Sequence, residues 1–199
     1  MTPPVEPAVV TAVLLHAARL LPVTLLSPFL GGPLVPPVIR LALALALGAA
    51  AWALSGGAPA GALDGPALAL AGFRELGVGI AFALVASLPV EAARAAGRLV
   101  DTLRGATLGE LHVAPVRQQE TAVGDLLAHW VVVLAAWAGG DRLVVRGLLA
   151  SFAALPAGAG FPAGPLEVVA LRAAGELLAS ALAVAAPAAA GILAADLAL

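Results

Sequence analysis

Polar residues are rare along this chain, and their positions divide it into six apolar runs. The first extends from about Ala8 to Leu30 and carries His16, Arg19 and Pro22. The second, from about Val38 to Ser55, follows the hinge Gly31-Gly32-Pro33-Leu34-Val35-Pro36-Pro37. The third covers about Leu76 to Val90. The fourth, about Ala122 to Ala138, contains Asp125 and His129. The fifth is short, about Leu143 to Leu155, set between Gly139-Gly140-Asp141 and Pro156. The last covers about Leu166 to Leu199, interrupted by Arg172, Glu176 and Pro187.

Each run is read as a helix. A lipid-facing barrel strand needs about 10 residues that alternate apolar with polar. Leu41 to Leu47 alternates Leu with Ala and is apolar on both faces. Backbone groups in hydrocarbon must bond within their own segment, which makes helix the default. Several runs fall short of the roughly 20 residues of a simple span. Such segments are re-entrant, broken or shielded by other protein; the alternative is a tilted bundle in a thinned bilayer.

Between the third and fourth runs lies a polar island, Glu91 to Thr107. Glu91/Arg94, Arg98/Asp101 and Asp101/Arg104 are spaced i,i+3 and can pair along one helix. Ala93, Gly97 and Asp101 step by four, as do Gly105 and Gly109, and small residues at that spacing let backbones approach closely. The island is therefore a helix that packs on other helices while part of it meets water, or a solvated amphipathic loop helix. Arg94, Arg98, Arg104 and Arg117 place this connection on the cytoplasmic side. Arg142 and Arg146, one crossing later, argue the other way.

Composition raises this pattern from a helical protein to a membrane one. Hydrophobic residues make up 62% of the 199 residues and charged ones 11%. An ordinary soluble domain is about 45–50% apolar and about 25% charged, and one of this size could not bury the excess. The fold class expected is all-α: polytopic membrane helical hairpins with short, broken or re-entrant apolar helices. A net charge of −2 supplies no basic field for nucleic acid. Cysteine is absent, so there is no disulfide framework, thiolate nucleophile or Cys-based metal site. The start, Met1-Thr2-Pro3-Pro4-Val5-Glu6, lacks the positive stretch of a cleavable signal, so none is expected.

The candidate chemistry is thin. Asp125 and His129, i,i+4, could form half a metal site or a proton relay. No second carboxylate–histidine pair completes it, and His16 and His112 are isolated, so a helix-surface hydrogen bond or a subunit contact is the better reading. Arg172 and Glu176, also i,i+4, are expected to neutralise each other. Arg19 and Glu75 are unpaired charges in or near the membrane that could pair with each other or with another chain. Ser151 with His129 would suit an intramembrane protease, but Leu149-Ala150-Ser151-Phe152 lacks the small-residue setting for a nucleophile. No phosphate loop or dinucleotide fingerprint is present. No cofactor is expected, and no enzymatic activity.

The order of these features resembles a known family. Pro28-Phe29-Leu30-Gly31-Gly32, then Val35-Pro36, then Arg40-Leu41-Ala42-Leu43-Ala44-Leu45 form the first match. Arg74-Glu75-Leu76 with Gly79 form the second, and Glu91-Ala92-Ala93 with Gly97, Asp101, Arg104, Gly105 and Ala106 the third. Gly139-Gly140, Leu148-Leu149-Ala150-Ser151-Phe152, Leu155-Pro156 and Ala195-Asp196-Leu197-Ala198 follow. This ordered set resembles the T subunit of the type III secretion export apparatus (SctT) and its flagellar counterpart FliR. Two positions depart from the pattern. Ala114-Pro115 stands where the family has Asp-Pro, and Ala83 where it has a second glycine. Family members also continue past the last helix, so residues 1–199 are expected to be one integral-membrane helical domain, short at its C-terminus.

The resemblance implies a structural subunit of a protein-export gate in the bacterial inner membrane, flagellar or injectisome. It would join other export-apparatus membrane subunits in a hetero-oligomer, in contact with lipid, and form part of a helical conduit for unfolded protein substrates. Gly97, Asp101, Arg104 and Gly105 are nominated for helix packing and polar contacts, Gly31, Gly32 and Pro36 for the first hairpin, and Glu75 and Gly79, which resemble a helix start of the family, for helix packing and assembly. Arg19, Asp125, His129, Arg172 and Glu176 are the intramembrane charges to be satisfied. The rival class is a small-solute secondary transporter, which also uses broken helices and intramembrane charges. Its usual internal repeat is not evident on either side of Gly97.

Overall fold

The computed structural model describes residues 6–30, 35–57, 61, 63–105, 121–158 and 164–198. Among these every regular element is a helix: α1 (Pro7–Leu26), α2 (Pro37–Leu54), α3 (Gly65–Leu103), α4 (Ala122–Trp137), α5 (Gly140–Ala154) and α6 (Gly164–Ala198). By length and composition, α1, α2 and α3 could each cross a membrane, and α4 with α5 could together make one broken span. The fold is the all-helical, apolar architecture expected of a polytopic membrane protein.

Prolines and glycines set the helix boundaries. Pro7 and Pro37 stand in the first turns of α1 and α2, where a missing N–H costs nothing. Gly105 (φ 69°) and Gly139 (φ 82°) adopt left-handed backbone, Gly105 just past the end of α3 and Gly139 at the N-cap of α5. A side chain at either position would strain the turn. Proline does not stop a helix everywhere: Pro22, Pro89 and Pro187 all lie inside helices.

Two boundaries differ from the sequence expectation. The third apolar run and the polar island as far as Leu103 are one 39-residue helix, α3, which begins at Gly65. Hydropathy separated them because polarity changes along α3, whereas the backbone pattern does not. The fifth helix starts at Gly140 rather than Leu143, and Asp141 falls in its first turn. An acidic side chain there complements the helix dipole, so the charged residues belong to the helix start and not to the loop.

The chain divides into two compact units, Met1–Ser87 with Gly139–Leu166 and Leu88–Ala138 with Glu167–Leu199. In the first unit α1 and α2 pack at backbone distance: a methyl group on Gly48 would lie 2.7 Å from the Ala17 Cα. Leu20, Val23, Ala51, Ala83, Leu148 and Phe152 form its core. In the second unit Ala96, Val100 and Ala185 form a smaller core flanked by Val123, Leu127 and Ile192. Much apolar surface remains uncovered in each. Val38 and Leu54 on α2, and Val133 and Trp137 on α4, are largely exposed, Trp137 to 90%. Only 17% of the apolar window of α2 is buried. A helix so apolar and so exposed is suited to lipid or to other apolar helices, not to water.

Candidate functional site

Among the described residues, the buried charged ones lie at two places, one in each unit. In the first unit Arg19 on α1 meets Glu75 on α3, each 1% exposed. Arg19 Nε donates to Glu75 Oε2 at 2.6 Å. Arg19 Nη1 donates to the Ser151 carbonyl at 3.1 Å and to Ser151 Oγ at 3.2 Å. The other carboxylate oxygen, Glu75 Oε1, accepts from the Gly158 N–H at 2.9 Å. The guanidinium also lies 4.3 Å from the Phe152 ring centroid. The pair is thus tied to the end of α5 and to the turn that follows it. A cation suits that position, because the last carbonyls of a helix carry its negative pole.

Glycine lets the two helices meet. Glu75, Gly79 and Ala83 step by four on α3, and all three are buried. A methyl group on Gly79 would strike the Arg19 carbonyl oxygen and would lie 3.0 Å from Pro22 Cδ. Both obstacles are rigid, so α1 and α3 could not keep their spacing with a larger residue there. Ala83 is completely buried in the core of this unit.

The second unit repeats the arrangement with the signs changed. Ala93, Gly97 and Asp101 step by four on α3 and are buried. A methyl group on Gly97 would overlap the Gly124 backbone and lie 2.7 Å from the Val123 carbonyl carbon. One turn on, Asp101 Oδ2 accepts from the Val123 N–H at 2.9 Å. Thr121, the N-cap of α4, accepts from the Gly124 N–H at 3.3 Å, and Asp125 stands in the first turn. The start of α4 therefore carries acceptors from two helices, as its positive pole and free N–H groups require.

Residues 10–199 match the family described as bacterial export proteins, family 1. The chain belongs to that family. The secretion system apparatus protein SsaT of Salmonella typhimurium (strain LT2) is 31% identical over 84 residues, which is 42% of this chain and 32% of that protein. The matched part thus spans about a third of the relative's length. Both similarities agree with the SctT/FliR resemblance carried by the sequence motifs. Several residues of those motifs are the ones that this export-family chain buries at its two charged joints.

Glu75 and Gly79 lie inside α3, which begins at Gly65, and not at a helix start. The remaining nominated residues fall as follows. Arg104 is 56% exposed and 3.9 Å from Asp101, an ion pair at the limit of contact. Gly105 lies beyond α3 in the turn. Glu91 and Arg94 pair, whereas Arg98 is exposed and joins no ion pair with Asp101. Pro36 caps α2. Gly31 and Gly32 lie outside the described residues, as do Ala106, Gly109, His112, Ala114-Pro115 and Arg117. His129 bonds through Nδ1 to the Asp125 backbone carbonyl at 2.7 Å, not to its carboxylate. Among the described residues no group of three possible metal ligands is present. Arg172 and Glu176 are both exposed and do not pair with each other, a departure from the expected neutralisation. Ser151 donates its hydroxyl proton to the Leu148 carbonyl at 2.6 Å and accepts from Arg19. Among the described residues these contacts make it a tie at the end of α5.

Sequence reasoning passed over three contributors. Gly48 is the one glycine within the apolar sequence of α2, which in retrospect marks a close approach. Gly124 follows Thr121 at capping distance. Arg40 Nε donates to the Val35 carbonyl at 2.7 Å and Nη1 to the Leu25 carbonyl at 3.3 Å, so it ties the start of α2 to the end of α1. An arginine one turn after a Pro-Pro helix start, following a helix with no basic last turn, was the available signal.

Proposed function

We propose that this chain is a structural subunit of a type III secretion or flagellar export gate, contributing helices to the conduit through which unfolded proteins leave the cytoplasm. The observation that carries this reading is the family match over residues 10–199. The chain acts as a multi-pass protein of the bacterial inner membrane, within a hetero-oligomer of other export-apparatus membrane subunits. Residues 1–199 serve there as one integral-membrane helical region, and the work is packing and gating rather than bond chemistry. The site geometry supports this: Arg19, Glu75 and Asp101 are spent on positioning helix ends, and the large apolar surfaces of α2 and α4 are left for lipid and neighbouring subunits.

The test is co-expression with the neighbouring export genes, mild detergent extraction and native mass spectrometry. A single copy of this chain held in a larger helical complex is the expected result. A monomer or homodimer that binds no other subunit would overturn the reading, and substrate-dependent flux in proteoliposomes containing the protein alone would establish a transporter instead.

A further inference from the structure

We propose that the outer face of α5 binds an anionic phospholipid, with its phosphate held between Arg142 and Arg146. The two arginines stand at i and i+4 on α5, and both are exposed. Residues at that spacing share a helix face. Leu143, beside them, is 74% exposed, and Ala150 and Ala153, further along the same face, are exposed too. The other side of α5 is the buried one, with Leu148, Ser151 and Phe152. The outer face is thus cationic in its first half and apolar in its second. A phospholipid offers a charged head and a hydrocarbon chain in that order. Cations and apolar anchors on the open side of one helix are also the marks of helices that meet a membrane surface.

Other arginines are answered from within the chain. Arg19 meets Glu75, Arg94 meets Glu91, Arg104 comes within reach of Asp101, and Arg40 donates to two carbonyls. Arg94 and Arg98 share the i,i+4 spacing, but there Glu91 supplies an acid. Among the described residues the side chains of Arg142 and Arg146 join no ion pair and no hydrogen bond. Asp141, the one acid of α5, pairs with neither and stands in the first turn, where the helix dipole favours it. Two like charges one turn apart repel each other. An anion set between them turns that repulsion into attraction on both sides.

The chemistry of the face selects the ligand. A guanidinium takes phosphate oxygens in a bidentate fork, which suits a phosphodiester. A zwitterionic head carries its own cation and brings no net charge to the pair, whereas an anionic head does. A small soluble anion would gain nothing from Leu143 or Ala153, whereas a lipid uses both halves of the face. Long arginine side chains can also hold their charge at headgroup level while their stems lie along apolar surface. This binding needs the membrane character of the chain and not the export reading.

The test titrates the full chain in detergent with phosphatidylglycerol and with phosphatidylcholine, and reads the adducts by native mass spectrometry. Phosphatidylglycerol is expected to bind saturably and about 25-fold more tightly, about fivefold for each arginine. Arg142→Gln or Arg146→Gln alone should lose about fivefold, and the two together nearly all of the preference, at an unchanged thermal midpoint. Arg74→Gln with Arg172→Gln removes the same charge from exposed positions elsewhere and should leave the preference intact. Equal affinity for the two lipids, a preference that survives Arg142→Gln with Arg146→Gln, or an equal loss from the Arg74 and Arg172 pair would each overturn the proposal. An acidic peptide that displaces phosphatidylglycerol from the wild-type chain but not from the Arg142→Gln, Arg146→Gln variant would give the face to a protein segment and overturn it too.

Discussion

The two charged joints use the same parts in different proportions. In the first unit a full ion pair is buried: Arg19 and Glu75 are spent on each other and on the end of α5. In the second a single carboxylate, Asp101, is spent on the start of α4, and its nearest cation, Arg104, is largely in solvent. Each joint has a glycine one turn from its charge on α3, Gly79 after Glu75 and Gly97 before Asp101, where the partner backbone comes in. A buried pair depends on both members, because removing one strands the other in a low dielectric. A lone capping carboxylate depends on geometry more than charge, because its partner is a backbone N–H. The first joint should therefore fail steeply and the second gradually.

Several substitutions would break or sharpen that contrast. Arg19→Met or Glu75→Met, each leaving a buried charge unpaired, should destabilise the protein by about 3–5 kcal/mol, and the double mutant should recover much of the loss. The charge swap Arg19→Glu with Glu75→Arg should not recover it. The Ser151 carbonyl would then face a carboxylate and the Gly158 N–H a guanidinium. Thermal unfolding in detergent reads both, and a fully stable swap would show that the pair is only a pair.

Next in size are the glycines. Gly97→Ala and Gly79→Ala force backbone against backbone and should cost about 1–3 kcal/mol. Gly97→Leu should block assembly, seen as loss of the co-purified complex. Gly77→Ala, with nothing within 4 Å of the added carbon, is the control. It should be neutral or stabilise by about 0.5–1 kcal/mol through helix propensity. If Gly77→Ala and Gly97→Ala behave alike, close approach is not what the glycine is for.

At the second joint Asp101→Ala should cost about 1–2 kcal/mol, the loss of a helix cap. Asp101→Asn, whose amide oxygen can still accept from Val123, should cost less than half of that. An equal loss from both would mean that charge, not geometry, matters there. Smallest of all, Arg104→Gln should change stability by less than about 0.5 kcal/mol, as expected for an exposed, barely formed ion pair.

The joints were partly legible beforehand, and the reason differs by residue. Gly97 and Asp101 were nominated because small and polar residues four apart on a helix share a face, a rule that needs no partner to be known. Arg19 and Glu75 were visible as charges out of place in an apolar setting. Their separation of 56 positions gave no ground for choosing each other over another chain. Along the sequence Ser151 is a hydroxyl in an apolar run, a candidate nucleophile at most. Only the Arg19 contact makes it part of a helix end. Along the sequence His16 is isolated, because a histidine in an apolar run shows nothing of the Phe152 ring or the Ser55 hydroxyl it meets.

The sequence by itself determined that the chain is helical and apolar, where its hinges fall, and that its charges are too few to be incidental. These follow from local properties: hydropathy, proline and glycine geometry, and residue spacing along one helix. It also carried the family, because an ordered set of short motifs survives where overall identity is low. Tertiary structure alone decided which charge serves which helix end, that α3 runs unbroken from Gly65 to Leu103, and which glycines meet a backbone. Those outcomes depend on partners tens of residues away, and hydrogen bonds and close contacts act over a few ångströms in space whatever the distance along the chain.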